Sequence, residues 1–374
     1  MRDSTEFHSP ASQALGCLQV RNLFAPLSCR TFAQDYFERT HFNATATGFE
    51  HLLTSKELPR LADRWQFKVA EDHSQARVLF PDSFSHDDAY KPGQILDGRE
   101  IPRALAANRT VVLHNFELYS RRVGLLTLSL MRAFGVYAQA NVYYSPHGLA
   151  SAVHAHQDAQ SVFIIQCEGR KHWQLFAPPQ RWRLRYNQRG KAGDVAPDAE
   201  LTQPLFETTL VPGDVLFLPR GVYHRTSTLI APEAPLRAAS SPSTDPSLHV
   251  TVGVETDTDD WTWLALLKDA STALALPGSS SKLDTAQWHD EKLREALPLP
   301  LSRPQAGFAG SAPHASAWFA RARELISQHV GARPEPDRLK RALDGALRKR
   351  QEHVDKKRLQ VIDFLAMNQD QQSL

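Results

Sequence analysis

The chain has 374 residues, 42% hydrophobic and 22% charged, with a formal net charge of +2. That length allows a full core and two domains, while the near-neutral balance gives no reason to expect nucleic acid as a partner. No run of eighteen apolar residues is present to cross a membrane, and the first ten residues lack the apolar centre of a secretion signal. The three scattered cysteines, Cys17, Cys29 and Cys167, do not read as a disulfide framework, so a reducing cytoplasm is the expected setting.

Residues 14–66 read as punctuated helix. In LSCRTFAQDYFERTHF, Ser28 is placed to cap a helix whose apolar face carries Phe32, Tyr36 and Phe37. In HLLTSKELPRLADRW, Ser55 is a second candidate cap. Residues 67–100 are mixed and rich in turns. TVVLHNF then reads as a short strand, and ELYSRRVGLLTLSLMRAFG as an amphipathic helix ended by Gly135.

From Val136 to Glu255 the pattern changes to short strands between Pro and Gly turns. They run YAQANVYY, SVFIIQ, KHWQLFA, LFETTLV, DVLFLP, VYHRTSTLI and LHVTVGVET, with turns at Glu168-Gly169, Pro212-Gly213 and Pro219-Arg220-Gly221. Pro212-Gly213 suits a type II turn, because Pro presets φ and Gly accepts a positive φ at the next position. Many short strands with such turns predict a jelly roll or small barrel. The Pro-, Ala- and Ser-rich stretch 231–247 reads as a surface loop beside it.

Residues 257–374 return to helix: DDWTWLALLKDASTALAL, a GSSS linker, TAQWHDEKLREAL, AWFARARELISQHV and a long final segment. In that segment Leu339, Leu343 and Leu347 recur every four residues opposite a basic face. The stripe suits either packing within the chain or pairing of two chains, and the basic face reads as solvated rather than as a nucleic-acid surface. The expected organisation is α+β: an N-terminal helical and mixed region over 1–135, a β-rich core over 136–256 and a helical domain over 257–374.

Chemistry concentrates in HAHQDAQSVFIIQCEGRKHW, residues 154–173. A mononuclear ferrous site needs two histidines and one carboxylate on one face. Residues i and i+2 of an extended segment point the same way, so His-x-Asp at a strand edge supplies two of the three. The pattern alone discriminates poorly, since it occurs at His86/Asp88, His156/Asp158 and His353/Asp355. His86 has no strand after it, and His353 and Asp355 lie in a helical pattern that points them about 200° apart. His156 and Asp158 lead directly into strands, and PGDVLFLPRGVYH delivers His224 at the end of another. His156, Asp158 and His224 are therefore the candidate metal ligands, with His154/His156 as an alternative pair.

Lys171 opens a strand with Trp173 and Leu175 on its own face. If that face is interior, the ammonium is buried and needs an anion, which a dicarboxylate would supply. The opposite assignment, with His172, Gln174 and Phe176 inside, fits the alternation equally well.

NVYYSP, HQDAQSVFIIQCEGRKHW and PGDVLFLPRGVYH, in that order, resemble the JmjC-type 2-oxoglutarate oxygenases, and in particular the cupin-like branch that includes the ribosomal oxygenases. FAQDYFERTHF is similar to that branch's helical entry, so the resemblance covers about residues 25–265. It implies a double-stranded β-helix, with Fe(II) on His156, Asp158 and His224, and 2-oxoglutarate and O2 as co-substrates. It implies that Lys171 faces inward to hold the distal carboxylate of 2-oxoglutarate. It also implies that Asn141, Tyr143, His249 and Thr251 line the co-substrate pocket. The implied activity is hydroxylation of a side chain in a protein or peptide, either a ribosomal protein or a biosynthetic precursor peptide. A homodimer through the C-terminal helices is expected. A metal-binding cupin without oxygenase activity, an isomerase or a binding protein, is the alternative. Three departures stand out: Gly253 replaces a hydroxyl residue, the 231–247 stretch is long, and no strands of a C-terminal winged helix are legible.

Overall fold

The computed structural model describes residues 10–37, 39–45, 47–70, 75–81, 87–158, 160–177, 201, 203–229, 244–254, 263–286, 293 and 312–368. The early strands are β1 (Phe42–Ala44), β2 (Phe67–Lys68), β3 (Ala76–Leu79), β4 (Ile95–Leu96) and β5 (Thr110–Leu113). The core follows as β6 (Ala138–Ser145), β7 (Val153–His156), β8 (Ser161–Glu168), β9 (Lys171–Phe176), β10 (Phe206–Leu210), β11 (Val215–Leu218), β12 (Tyr223–Ser227) and β13 (Ser247–Val254). They assemble into a seven-stranded sheet in the order β1-β11-β8-β13-β6-β5-β3 and a four-stranded sheet in the order β10-β9-β12-β7, with β2 and β4 paired apart. The paired strands of both large sheets are antiparallel. This is the expected double-layered β core.

Turn chemistry fixes the crossings. Asp214 N donates to Val211 O at 2.9 Å across Pro212 and Gly213, and Gly213 has φ +90°, as the type II reading requires. Gly169 has φ +61°, and a Cβ there would lie 2.3 Å from Pro246 O, so the β8–β9 turn admits only glycine.

Strand β8 is buried on both faces, which is why SVFIIQ shows no alternation of polarity. Phe163 and Ile165 face outward onto a cluster with Phe24, Phe32, Phe134 and Phe217. Val162 and Ile164 face the second sheet, with Trp173, Leu216 and Leu218. Among Phe163, Ile165, Trp173 and Phe217, only Trp173 belongs to the cluster between the two sheets.

Helices cover the outer face of the large sheet. They are α1 (Pro10–Gln19), α2 (Cys29–Asp35), α3 (Glu57–Trp65), α4 (Glu100–Ala106), α5 (Arg121–Phe134), α6 (Trp263–Ala273), α7 (Ser279–Ala286), α8 (Ala312–His329) and α9 (Pro336–Met367). Ser28 caps α2 as expected, accepting from Thr31 N at 3.0 Å. Ser55 does not cap α3. Instead Glu57 reaches back to accept from Thr54 N at 2.8 Å and from its hydroxyl at 2.9 Å, while Ser55 N donates to Glu168. Gly135 ends α5 with φ +70°. The serines read as a linker are instead the first turn of α7, and the helix expected over TAQWHDEKLREAL lies largely outside the described residues. No strand occurs among the described residues from 263 to 368.

One expectation from the sequence fails, and one open alternative is settled. Cys17 and Cys29, twelve residues apart with Cα atoms 5.7 Å apart, form a disulfide, while Cys167 is a buried free thiol. The pairing is tertiary: α1 lies along α5 and returns past α2, which spacing alone does not reveal. Leu339, Leu343 and Leu347 are buried inside the chain, in the apolar cluster that also holds Leu266 and Leu267 of α6. Arg350 Nη1 pairs with Asp269 of α6 at 2.7 Å. Arg358 Nη2 donates to Met131 O of α5 at 3.2 Å. The leucine stripe is therefore not a free surface for pairing two chains. No described helix is long and apolar enough to cross a membrane.

Candidate active site

Strand register brings the distant histidines together. In the β12–β7 pair, His224 lies directly opposite His156, and their ring centroids are 4.2 Å apart. Asp158 follows two residues after His156, with its carbonyl held by Gly221 N at 2.8 Å. Its carboxylate oxygens stand 3.7 Å from His156 Nε2 and 3.8 Å from His224 Nε2. The donor atoms of all three residues lie within 4.8 Å of one another, and both histidines are buried. His224 Nδ1 faces Val222 O at 3.0 Å. Donation to that carbonyl fixes the tautomer and leaves the Nε2 lone pair free toward the carboxylate. Two imidazole nitrogens and one carboxylate, with no cation among them, suit a divalent transition metal with open positions.

Of the other two His-x-Asp patterns, only His353/Asp355 lies wholly within the described residues, and it forms no such group. His86 lies outside the described residues, and Asp87 beside it is paired with Arg109 Nε at 2.6 Å. His353 is exposed on α9 and Asp355 pairs with Arg358. The side chain of His154, the alternative partner of His156, is outside the described ones.

Lys171 faces the interior, and its side chain is 1% exposed. Its Nζ donates to Ser145 Oγ at a long 3.4 Å and stands 6.0 Å from the centroid of the Tyr143 ring. Burial pushes its pKa down to about 7. His249, opposite Tyr143 in the β13–β6 register, stacks on that ring at 5.0 Å and 1°. Burial, and then the neighbouring Lys171, hold the His249 ring well below its ordinary pKa, so it is neutral at pH 7. Among the described residues, its Nδ1 and the indole Nε1 of Trp173 are buried without a hydrogen-bond partner.

One small pocket joins these parts. Tyr143, Lys171, Trp173, His249 and Thr251 line it together with the two histidines and Asp158. Asn141 stands opposite Thr251 in the β13–β6 register, with its Oδ1 3.2 Å from His114 Nδ1. Val162, Ile164 and Thr226 complete the lining and were not singled out in the sequence. For Thr226 the signal was available, since it shares a face with His224. For Val162 and Ile164 the run of apolar residues hid it. At Gly253 a Cβ would lie 2.3 Å from Gln160 Oε1, so the Gln160 amide fills the space that a hydroxyl side chain would need.

Residues 120–259 match the family model described as JmjC domain. A Drosophila pseudoobscura pseudoobscura protein named bifunctional lysine-specific demethylase and histidyl-hydroxylase NO66 is 27% identical over 233 residues, 60% of this chain and 23% of that protein. A Bos taurus protein named ribosomal oxygenase 2 is 27% identical over 220 residues, 55% of this chain and 44% of that protein. The chain spans less than half the length of these curated relatives. The crystal structure of Escherichia coli ribosomal oxygenase YcfD is similar at a TM-score of 0.43 and 18% identity, over 84% of this chain and 69% of that one. The sheet order and the turns of the matched segment, residues 120–259, agree with its similarity to the JmjC domain and with a cupin-type core.

Proposed function

We propose that the protein is an Fe(II)- and 2-oxoglutarate-dependent oxygenase that hydroxylates a side chain of a protein or peptide. The observation that carries this reading is the pairing of a two-histidine, one-carboxylate group with a buried ammonium in the same pocket. The names of the curated relatives, a histidyl-hydroxylase and a ribosomal oxygenase, support a ribosomal protein as substrate ahead of a biosynthetic precursor peptide.

In this reading His156, Asp158 and His224 hold the iron, leaving positions open for co-substrates. When bound, ferrous iron with 2-oxoglutarate and O2 supplies the oxidation that puts one oxygen atom into a C–H bond and the other into succinate, with loss of CO2. The chain's own residues bind, orient and exclude water. Asp158 contributes the one negative charge of the ligand set. Lys171 pairs with the distal carboxylate, which removes the cost of its own burial. Asn141, Tyr143, His249 and Thr251 shape the pocket along the co-substrate. Val162, Ile164 and Trp173 keep the reacting centre dry, and positioning of one C–H bond supplies the rest of the rate. A paired Cys17 and Cys29 no longer favour a reducing cytoplasm as the place of work. Pairing of two chains through the C-terminal helices would use a face other than the leucine stripe, which is buried within the chain.

The test is anaerobic loading with Fe(II) and 2-oxoglutarate, followed by air and a peptide digest of cell extract. Succinate formation and a peptide gaining one oxygen atom are expected, and both are lost in His156→Ala. Metal binding with no succinate from 2-oxoglutarate, with or without extract, would instead point to a non-oxygenase cupin.

A further inference from the structure

Lys171, Trp173 and Leu175 share one face of β9, and Leu175 lies opposite His224 in the β12 register. Trp173 thus stands between the level of the metal-binding group and the level of the ammonium. Its ring centroid is 5.7 Å from that of His224 and 5.8 Å from that of His249. It is 4% exposed and lines the pocket, yet its Nε1–H has no acceptor, and Nδ1 of His249 across the pocket has no partner either. An indole nitrogen can only donate. Buried polar groups without partners are rare in folded proteins and call for a bound species to satisfy them. Lys171 meets its nearest acceptor, Ser145 Oγ, only at 3.4 Å, so it too has donors to spare. Three nitrogens with unmet hydrogen-bonding capacity around one small pocket describe a receptor for an acid.

We propose that Trp173 is a co-substrate-binding residue, donating its indole N–H to a carboxylate oxygen of the acid that spans from the His156–Asp158–His224 group to Lys171, with His249 Nδ1 donating beside it. The assignment rests on the co-substrate reading above and adds to it. The acid lies along β9, its distal carboxylate held by the Lys171 cation together with the neutral donors beside it. A neutral donor contributes orientation without adding charge, so the pocket keeps a single cation for the distal carboxylate and discriminates against more highly charged acids.

The decisive measurement is the indole N–H spectrum of 15N-tryptophan-labelled protein during titration with 2-oxoglutarate, with Zn(II) as a diamagnetic stand-in for iron. The chain has seven tryptophans, and the Trp173 peak is the one missing in Trp173→Phe; should that variant not fold, Trp173→Tyr identifies it instead. The peak is expected to move downfield on saturation, as an N–H does on donating to a carboxylate. Calorimetry is expected to show 2-oxoglutarate binding to the Phe variant about tenfold more weakly, the scale of one hydrogen bond to a charged group. An alternative arrangement sets the N–H against the face of the His249 ring, to which the indole is inclined at 78°; the peak would then stay where it is. A stationary peak under saturating 2-oxoglutarate, with binding still lost in Lys171→Met, overturns the role of Trp173 and leaves the co-substrate reading standing. Absence of any 2-oxoglutarate binding to the wild-type protein overturns both.

Discussion

Replacing Lys171 by methionine keeps the length of the side chain and removes its charge, and it should move ligand binding and stability in opposite directions. The ammonium is buried with one long hydrogen bond to Ser145, so in the proposed complex its partner is the distal carboxylate of 2-oxoglutarate. Loss of a charged hydrogen bond, about 1.5–3 kcal/mol, raises the apparent Kd for 2-oxoglutarate roughly tenfold to a hundredfold. Burial of the ammonium acts on stability in the opposite sense. Burial lowers the Lys171 pKa from 10.5 to about 7, so the folded protein disfavours the proton that the unfolded chain holds. The contribution to stability is therefore fully present above pH 10.5 and is lost as pH falls toward 7. Over that window the wild-type protein gives up a few kcal/mol at about 1.4 kcal/mol per pH unit, and Lys171→Met does not. The variant should be the more stable protein at pH 7 in thermal melts without ligand, and the weaker binder in calorimetry. A variant that binds 2-oxoglutarate as well as the wild type removes Lys171 from the proposed role. A variant that is less stable at pH 7 refutes the argument from burial.

Glu117 is buried, its carboxylate accepting from Ala140 N at 2.8 Å, and burial raises its pKa from 4.5 to about 7. Its contribution to stability is fully present below pH 4.5 and is lost as pH rises through 7, so Glu117→Gln should be the more stable protein at pH 8, by on the order of 3 kcal/mol; denaturant titrations at pH 5 and pH 8 give the comparison. Gly253→Ala puts a methyl where Gln160 Oε1 sits and should cost about 1–3 kcal/mol by overpacking, with Gln160→Ala in the same chain restoring most of it in a double-mutant cycle. Leu343→Ala should cost about 2–5 kcal/mol in an unfolding experiment, and gel filtration of wild type and variant should give the same oligomeric state, since the leucine already packs inside its own chain.

How legible the site was in the sequence depended on the type of residue. His156, Asp158 and His224 could be picked out because each sits where a polar residue interrupts or ends a strand, and strand order then brings the ends together. Lys171 was harder: KHWQLF places an aromatic on each face, and the alternation leaves open which one is interior. Three-dimensional context decides, since Trp173 meets the apolar face of β8, while Phe176 packs beneath Tyr223 and Leu201 at the far edge. The pocket wall could not be read, because helices cover the outer face of the large sheet and make β8 apolar on both sides. The Cys17–Cys29 bridge depends on where α1 lies against α5, information that spacing along the chain does not carry. The leucine stripe was legible as a packing surface, but the sequence did not name what it packs against.

The alignment of β9 with His224 has a consequence for selectivity among acids of different length. Sites facing one way along a strand recur only every two residues, roughly 7 Å apart, whereas adjacent members of a homologous series of diacids differ by about one carbon–carbon bond. Sliding β9 against β12 therefore overshoots any single-carbon adjustment and also flips or displaces Trp173. Fine tuning of reach falls to the side chain at position 171 alone, where lysine and arginine extend to different depths. In this framework the strands set a coarse gauge, and one flexible cation reads the last increment of length.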